Sequence, residues 1–281
     1  MKRFLFALFA IALPVILWAQ GETVSIKGPN GMLSAEYHKP ATLAEGQKCP
    51  IVILCHGFGA NRQYALLRQV ATKLEQYGFA TLSFDFAGSG ASATDKFEFR
   101  DMSLKTELKD LEAVIKYASK LPFVSDVALV GHSMGGAVSI LAASEEGKRT
   151  VKSIALLAPA VTLREDALRG SVLGSTFDPN DLPRKLKIGD NYVVGRDFLE
   201  TCQETNFYKA ASEYKGETLI LFSKDDNLVL YTAGEYLDLV FPNSKLVLYK
   251  GLGHDFNKAD DPTKQDEVVT AVADFLKKEL L

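Results

Sequence analysis

The chain has 281 residues, 47% hydrophobic and 24% charged, and these proportions with 21 Gly and 10 Pro exclude disordered, collagen-like and cysteine-framework proteins. A chain this long removes roughly three quarters of its unfolded surface from water, so one domain or two small ones can fold without a metal or disulfide staple. Its 32 basic residues stand against 35 acidic ones and form no dense cluster, so nucleic acid is not an expected partner.

Lys2 and Arg3 precede an apolar run from Phe4 to Trp18, and Leu17-Trp18-Ala19 suits cleavage before Gln20. Residues 1–19 read as a signal peptide, which predicts export to a periplasm or to the extracellular space. About 15 apolar residues broken by Pro14 fall short of the roughly 20 that cross a bilayer, so no stable membrane insertion is expected after cleavage. No Cys lies near the cut to carry a lipid. Cys49, Cys55 and Cys202 are odd in number, so at least one thiol is free. If the apolar segment between Cys49 and Cys55 is a strand, their Cα atoms lie beyond the ~7 Å that a disulfide tolerates.

In the mature part, residues 23–26 and 33–38 flank the turn-rich Gly28-Pro29-Asn30-Gly31 and read as an antiparallel pair at a sheet edge. From Ile51 the pattern changes. Short apolar runs (51–55, 80–84, 127–130, 153–157, 218–222, 245–249) alternate with amphipathic stretches (63–76, 104–120, 136–144, 231–240, 265–278). Strands buried on both faces look like the first set and crossover helices like the second, which predicts an α/β fold with a doubly wound, mostly parallel sheet. In the second helix Leu104, Leu108, Leu111, Ile115 and Ala118 recur at i+3 and i+4, a core-facing stripe. Between Ala158 and Thr218 the alternation breaks for about 58 residues, more than a crossover needs. A cap insertion with its own short elements is expected at about 160–215, within a single domain over 20–281.

Gly131-His132-Ser133-Met134-Gly135-Gly136 follows an apolar run and precedes an Ala-rich, helix-compatible segment, which is the strand, tight turn and helix setting of G-x-S-x-G. Glycines remove the Cβ atoms that would clash in so sharp a turn, and Ser133 becomes the candidate nucleophile. Serine needs a base to attack. Of four histidines, His38 lies on the edge pair, His56 begins a turn, and His132 sits in the elbow with its side chain expected to point away from the pocket. His254 alone follows Ser133, just past the last strand, and is the candidate base. The orienting carboxylate belongs on the loop after the penultimate strand, where spacing to Val229 favours Asp226, with Asp225 as the alternative. The oxyanion donors are expected to be the backbone N–H groups of Met134 and, in His56-Gly57-Phe58-Gly59, of Phe58.

Two other patterns carry no chemistry. Gly88-Ser89-Gly90-Ala91-Ser92-Ala93 fits a loose dinucleotide fingerprint, but no amphipathic helix follows it directly. No H-E-x-x-H or C-x-x-C occurs. Neither a cofactor nor a metal is implied.

His56-Gly57-Phe58-Gly59, Asp85-Phe86-Ala87-Gly88-Ser89-Gly90, the Ser133 elbow, Asp226-Asn227-Leu228-Val229 and Gly253-His254 occur in the order seen in the α/β-hydrolase superfamily, which the chain resembles from about residue 23 to its end. Leu157-Ala158-Pro159-Ala160, Asp166-Ala167-Leu168-Arg169-Gly170 and the insertion resemble bacterial cinnamoyl or feruloyl esterases. That likeness implies a cap over the acyl pocket and a substrate-binding role for Asp166. It also implies a cap tyrosine; the position before Leu199 holds Phe198, with Tyr192 and Tyr208 displaced.

The expected function is a cofactor-independent serine carboxylesterase acting on small-molecule esters, with hydroxycinnamate esters favoured. Lipase or lysophospholipase action and acyl-peptidase action share the same three residues. A catalytically silent hydrolase-fold binding protein is the reading from another class, and it is expected to have lost one of them. Nothing in the residues bears on the oligomeric state.

Overall fold

The computed structural model describes residues 21–258, 261 and 263–281; the leader expected over 1–19 lies outside the described residues. The chain opens with β1 (Glu22–Gly28) and β2 (Gly31–His38), an antiparallel pair joined through Pro29-Asn30. β3 (Cys49–Cys55) is buried along its whole length, as an unbroken apolar run requires, and is followed by α1 (Ala65–Gln76). β4 (Ala80–Phe84), α2 (Leu104–Ala118), β5 (Val124–His132), α3 (Met134–Thr150) and β6 (Val151–Leu157) continue the alternation. The segment that interrupts it holds α4 (Leu163–Leu168), the hairpins β7 (Ser171–Val172) with β8 (Ser175–Thr176) and β9 (Lys185–Ile188) with β10 (Tyr192–Gly195), then α5 (Arg196–Glu204) and α6 (Phe207–Glu213). β11 (Glu217–Ser223), α7 (Thr232–Val240), β12 (Ser244–Tyr249) and α8 (Thr263–Leu280) complete the fold.

One sheet of eight strands runs in the order β1-β2-β4-β3-β5-β6-β11-β12, parallel from β4 to β12 and antiparallel at β1 and β2. The path steps one way from β3 to β4 and then the other way through β5, β6, β11 and β12. Right-handed crossovers therefore lay α1 and α2 on opposite faces. Accordingly α1 packs against α8, and α2 against α3. The order reverses between β3 and β5, and the loops leaving the carboxyl ends of those two strands diverge there into a crevice.

Helix α2 forms for a local reason. The five apolar stripe residues of α2 are all buried, a gain of about 1.5–3 kcal/mol for each large one. Ser103 caps that helix: its Oγ accepts from the Thr106 N–H at 3.2 Å, while Thr106 Oγ1 accepts from the Ser103 N–H at 2.8 Å. Two boundaries differ from expectation by three residues or more. β5 starts at Val124 rather than 127, because Val124 pairs with Cys49 ahead of a register shift, after which the ladder resumes at Val127 opposite Ile51. α3 starts at Met134 and runs on past 144 to a break at Gly147, where φ is 69°.

Candidate active site

Ser133 ends β5 and begins α3 with φ 53° and ψ −123°, a strained conformation that the surroundings must enforce. A Cβ on Gly131 would stand 2.5 Å from the Gly135 carbonyl oxygen, and one on Gly135 would collide with the carbonyl oxygens of Cys55 and His56. Only glycine lets α3 approach both strands this closely. The Ser133 N–H donates to the Leu157 carbonyl at 2.9 Å, and the Ser133 carbonyl accepts from the Ala160 N–H at 2.9 Å. The segment after β6 thus buttresses the turn.

Asp226 and His254, from loops after different strands, meet. His254 Nδ1 lies 2.7 Å from Asp226 Oδ2, and Asp226 Oδ1 accepts from the N–H groups of Leu228 at 2.8 Å and Val229 at 3.0 Å. Burial pushes the Asp226 carboxyl up, but the hydrogen bond and charge of His254, with the two backbone donors, outweigh it and hold the group below its ordinary value. An ionised carboxylate on Nδ1 directs Nε2 of the ring toward proton exchange. Asp225 is engaged elsewhere: its Oδ2 accepts from the Gly251 N–H at 2.6 Å, which ties the β11 loop to the His254 loop.

The other histidines are structural. His56 is buried, with Nδ1 donating to the Gly57 carbonyl at 2.9 Å and Nε2 accepting from the Phe86 N–H at 3.3 Å. His38 lies on the edge strand, 3.1 Å from Glu36. His132 corrects the sequence reading, which turned it away from the pocket. It borders the same cleft as Ser133, its Nε2 donates to the His254 carbonyl at 3.1 Å, and its ring lies between Tyr64 at 5.0 Å and the His254 ring at 4.8 Å. Burial first, then the neighbouring His254, lowers its pKa to about 4, so it stays neutral while donating. On its far side the Tyr64 hydroxyl donates to Asp255 at 2.6 Å, a second strap on the His254 loop.

Ser133, His132, His254 and Phe58 border one cleft of about 410 Å³, closed from the inserted segment by Leu173, Ile188 and Tyr192 and from the β11 loop by Leu228. The N–H of Phe58 and that of Met134, which opens α3, belong to the two segments flanking Ser133, and the positive end of the α3 dipole lies there too. Asp166 is not among the residues bordering the cleft; it lies on α4 with its carboxylate 3.9 Å from Arg169. Sequence reasoning missed Tyr64, Leu173 and Leu228. Leu173 alone left a local trace, the Leu173-Gly174 pair whose φ values of 49° and 82° make a tight hairpin turn. Among the described residues no group of three or more His, Cys, Asp or Glu could hold a metal, and no helix is long and apolar enough to cross a membrane.

A serine on a strained turn, an imidazole held by a carboxylate and a doubly wound sheet together have the form of a hydrolase built on serine. The family described as Hydrolase_4, serine aminopeptidase S33, matches residues 46–180. The structure of Est1E from Butyrivibrio proteoclasticus with ferulic acid bound superposes with a TM-score of 0.83 at 30% identity, covering 91% of this chain and 98% of that one. Monoglyceride lipase of Rattus norvegicus is 33% identical over 116 residues, 40% of this chain and 35% of that protein. An uncharacterized 31.7 kDa protein of Escherichia coli is 35% identical over 101 residues, 35% of this chain; the match spans about a third of that relative's length, 34%. The chain belongs to the α/β-hydrolase family, and within it the chain is esterase- and lipase-like.

Proposed function

We propose that the protein is a serine carboxylesterase that works through an acyl-enzyme, with Ser133 as nucleophile, His254 as general base and acid, and Asp226 as the group that orients and charge-balances His254. The observation that carries this reading is the 2.7 Å contact between Asp226 and His254 in the loop bordering the cleft at the strained Ser133. The Ser133 oxygen attacks the ester carbonyl carbon while its proton passes to His254 Nε2, and the carbonyl electron pair moves onto oxygen. The N–H groups of Phe58 and Met134 stabilise that oxyanion. Collapse breaks the bond to the alcohol oxygen, which takes the proton from His254. Water then attacks the acyl-enzyme, gives a proton to His254, and the acid leaves as Ser133 regains it.

Hydroxycinnamate esters are the favoured substrates. The likeness to Est1E, whose structure holds ferulic acid, supports this, as do the aromatic rings of Phe58, Tyr64 and Tyr192 around the cleft. Long-chain acyl esters are the second reading, favoured by Leu173 and Leu228 at the cleft, which are 39% and 65% exposed. We also propose export, on the leader-like residues 1–19. A fluorophosphonate probe is expected to label the wild type and not Ser133→Ala, whose ester turnover falls to background. Folded wild type that resists labelling favours a silent binding protein. Methyl ferulate against a monoacylglycerol separates the two ester classes, and turnover of the monoacylglycerol alone removes the hydroxycinnamate assignment.

A further inference from the structure

Tyr192 opens β10 in the inserted segment, yet its hydroxyl donates to the carbonyl oxygen of Gly59, 2.8 Å away on the loop after β3. Gly59 has φ 68°, and a Cβ there would stand 2.5 Å from the Tyr192 ring, so loop and ring fit only because this residue is glycine. The Phe58 ring packs edge-on against Tyr192 at 5.4 Å between centroids and against Phe99 at 5.0 Å, and Phe99 in turn lies 5.0 Å from Tyr192. One cap side chain therefore grips both the ring of Phe58 and the carbonyl just beyond it.

Tyr192 also borders two spaces. On one side lies the cleft with Ser133 and His254. On the other lies a cavity of about 610 Å³ whose walls include Ser89, Glu98, Arg100 and Lys185. Ala60, Asn191 and Tyr192 border both spaces.

We propose that Tyr192 is a positioning residue for the Phe58 oxyanion donor and, in the same conformation, the partition that limits how far a substrate reaches. The hydrogen bond to Gly59 removes freedom from the loop before the reaction begins, so the Phe58 N–H needs no reorganisation when charge develops. Displacement of the ring joins the cleft to the second cavity, whose hydroxyl, carboxylate, guanidinium and ammonium groups suit the hydrogen-bonding far end of a longer ester. The inference rests on the esterase reading and on Phe58 as donor. It adds that the cap takes part in transition-state stabilisation through the loop beneath it.

Tyr192→Phe keeps the ring and removes the tether; Tyr192→Ala removes the wall. For Tyr192→Phe with p-nitrophenyl acetate, kcat is expected to fall about 10-fold, less than the ~10²–10³ for deleting a donor outright. KM stays within about twofold, because the lost interaction acts only in the transition state. Phenylboronic acid, which forms a tetrahedral adduct on serine, is expected to lose affinity by the same factor. For Tyr192→Ala, kcat/KM for 1-cinnamoylglycerol relative to p-nitrophenyl acetate is expected to rise. Tyr192→Phe with unchanged kcat and boronate inhibition, or with KM alone raised, overturns the positioning role. An unchanged substrate ratio in Tyr192→Ala overturns the partition. Wild type without Ser133-dependent turnover sinks the esterase reading and this inference together, whereas active wild type with indifferent Tyr192 variants sinks this inference alone.

Discussion

Asp226 shows how much a single carboxylate is asked to do. One oxygen holds the His254 ring and the other holds the backbone of Leu228 and Val229, so the group fixes its own loop and its partner at once. Asp226→Asn keeps the shape but cannot balance an imidazolium, and it favours the wrong tautomer. Where such a change leaves geometry intact it costs on the order of 10⁴ in kcat, and that is the expected loss here with stability little changed. Steady-state kinetics beside a thermal melt measures it, and an unaltered kcat would remove Asp226 from the mechanism. Two other acids, Glu107 and Asp110 on α2, are buried with no ion pair among the described residues. Glu107 Oε2 and Asp110 Oδ1 have no hydrogen-bond partner. Burial, with the charge of Asp110, holds Glu107 well above the carboxylate range, and burial raises Asp110 to about 6. Both hold a proton in the fold to a higher pH than the unfolded chain does, so they oppose folding increasingly as pH rises above about 4, Asp110 only until about pH 6 and Glu107 beyond it. His132 acts in the other sense: with its pKa lowered to about 4, it favours the fold increasingly as pH rises from there toward 6.5. Glu107→Gln removes one opposing acid. It is expected to stabilise by about 1–3 kcal/mol at pH 8 and by less at pH 4.5, read from urea denaturation at both values. Equal or lower stability at pH 8 would show that Glu107 is ionised and paired.

Among elements, the β5–α3 turn is the most constrained. Gly135→Ala forces a methyl group into the backbone of β3, where nothing can yield. Overpacking of this kind typically costs about 1–3 kcal/mol, and loss of ester turnover is expected beyond that because Ser133 itself moves. Gly174→Ala, in the β7–β8 turn, meets nothing within 4 Å and carries only the left-handed backbone cost of about 1–2 kcal/mol. Melting curves and kcat for the two variants separate collision from conformational strain, and equal behaviour would refute the packing argument. The elbow was legible in the sequence because its glycines, serine and flanking strand and helix are contiguous. Spacing to Val229 favours Asp226 over Asp225, and it is Asp226 that meets His254. By contrast, the roles of His132 and Tyr192 depend on partners 122 and 133 residues away in the chain, and no local periodicity records such a pairing. The direction of the His132 side chain was misread for that reason.

At the scale of the molecule, the alternation of apolar runs and amphipathic stretches carried the sheet and its helices, since strands covered on both faces have no polar side to obscure them. The inserted segment was visible as an excess of length with short elements expected inside it; which elements those were and where they pack was not visible. Its hairpins are two to four residues per strand, and what fixes them is contact with the body of the protein, such as Tyr192 on Gly59. Because β3 and β5 diverge at the point where strand order reverses, the Phe58 loop and Ser133 come from neighbouring strands, while Asp226 and His254 follow β11 and β12.

The three cysteines are all buried and free, and burial raises each thiol, Cys55 to about 12 and Cys49 and Cys202 also upward. Such thiols seldom become thiolates, the form that reacts with oxidants and attacks disulfides. The folded state is thus insulated from redox conditions: once formed, it keeps its three thiols free in reducing and oxidising surroundings alike.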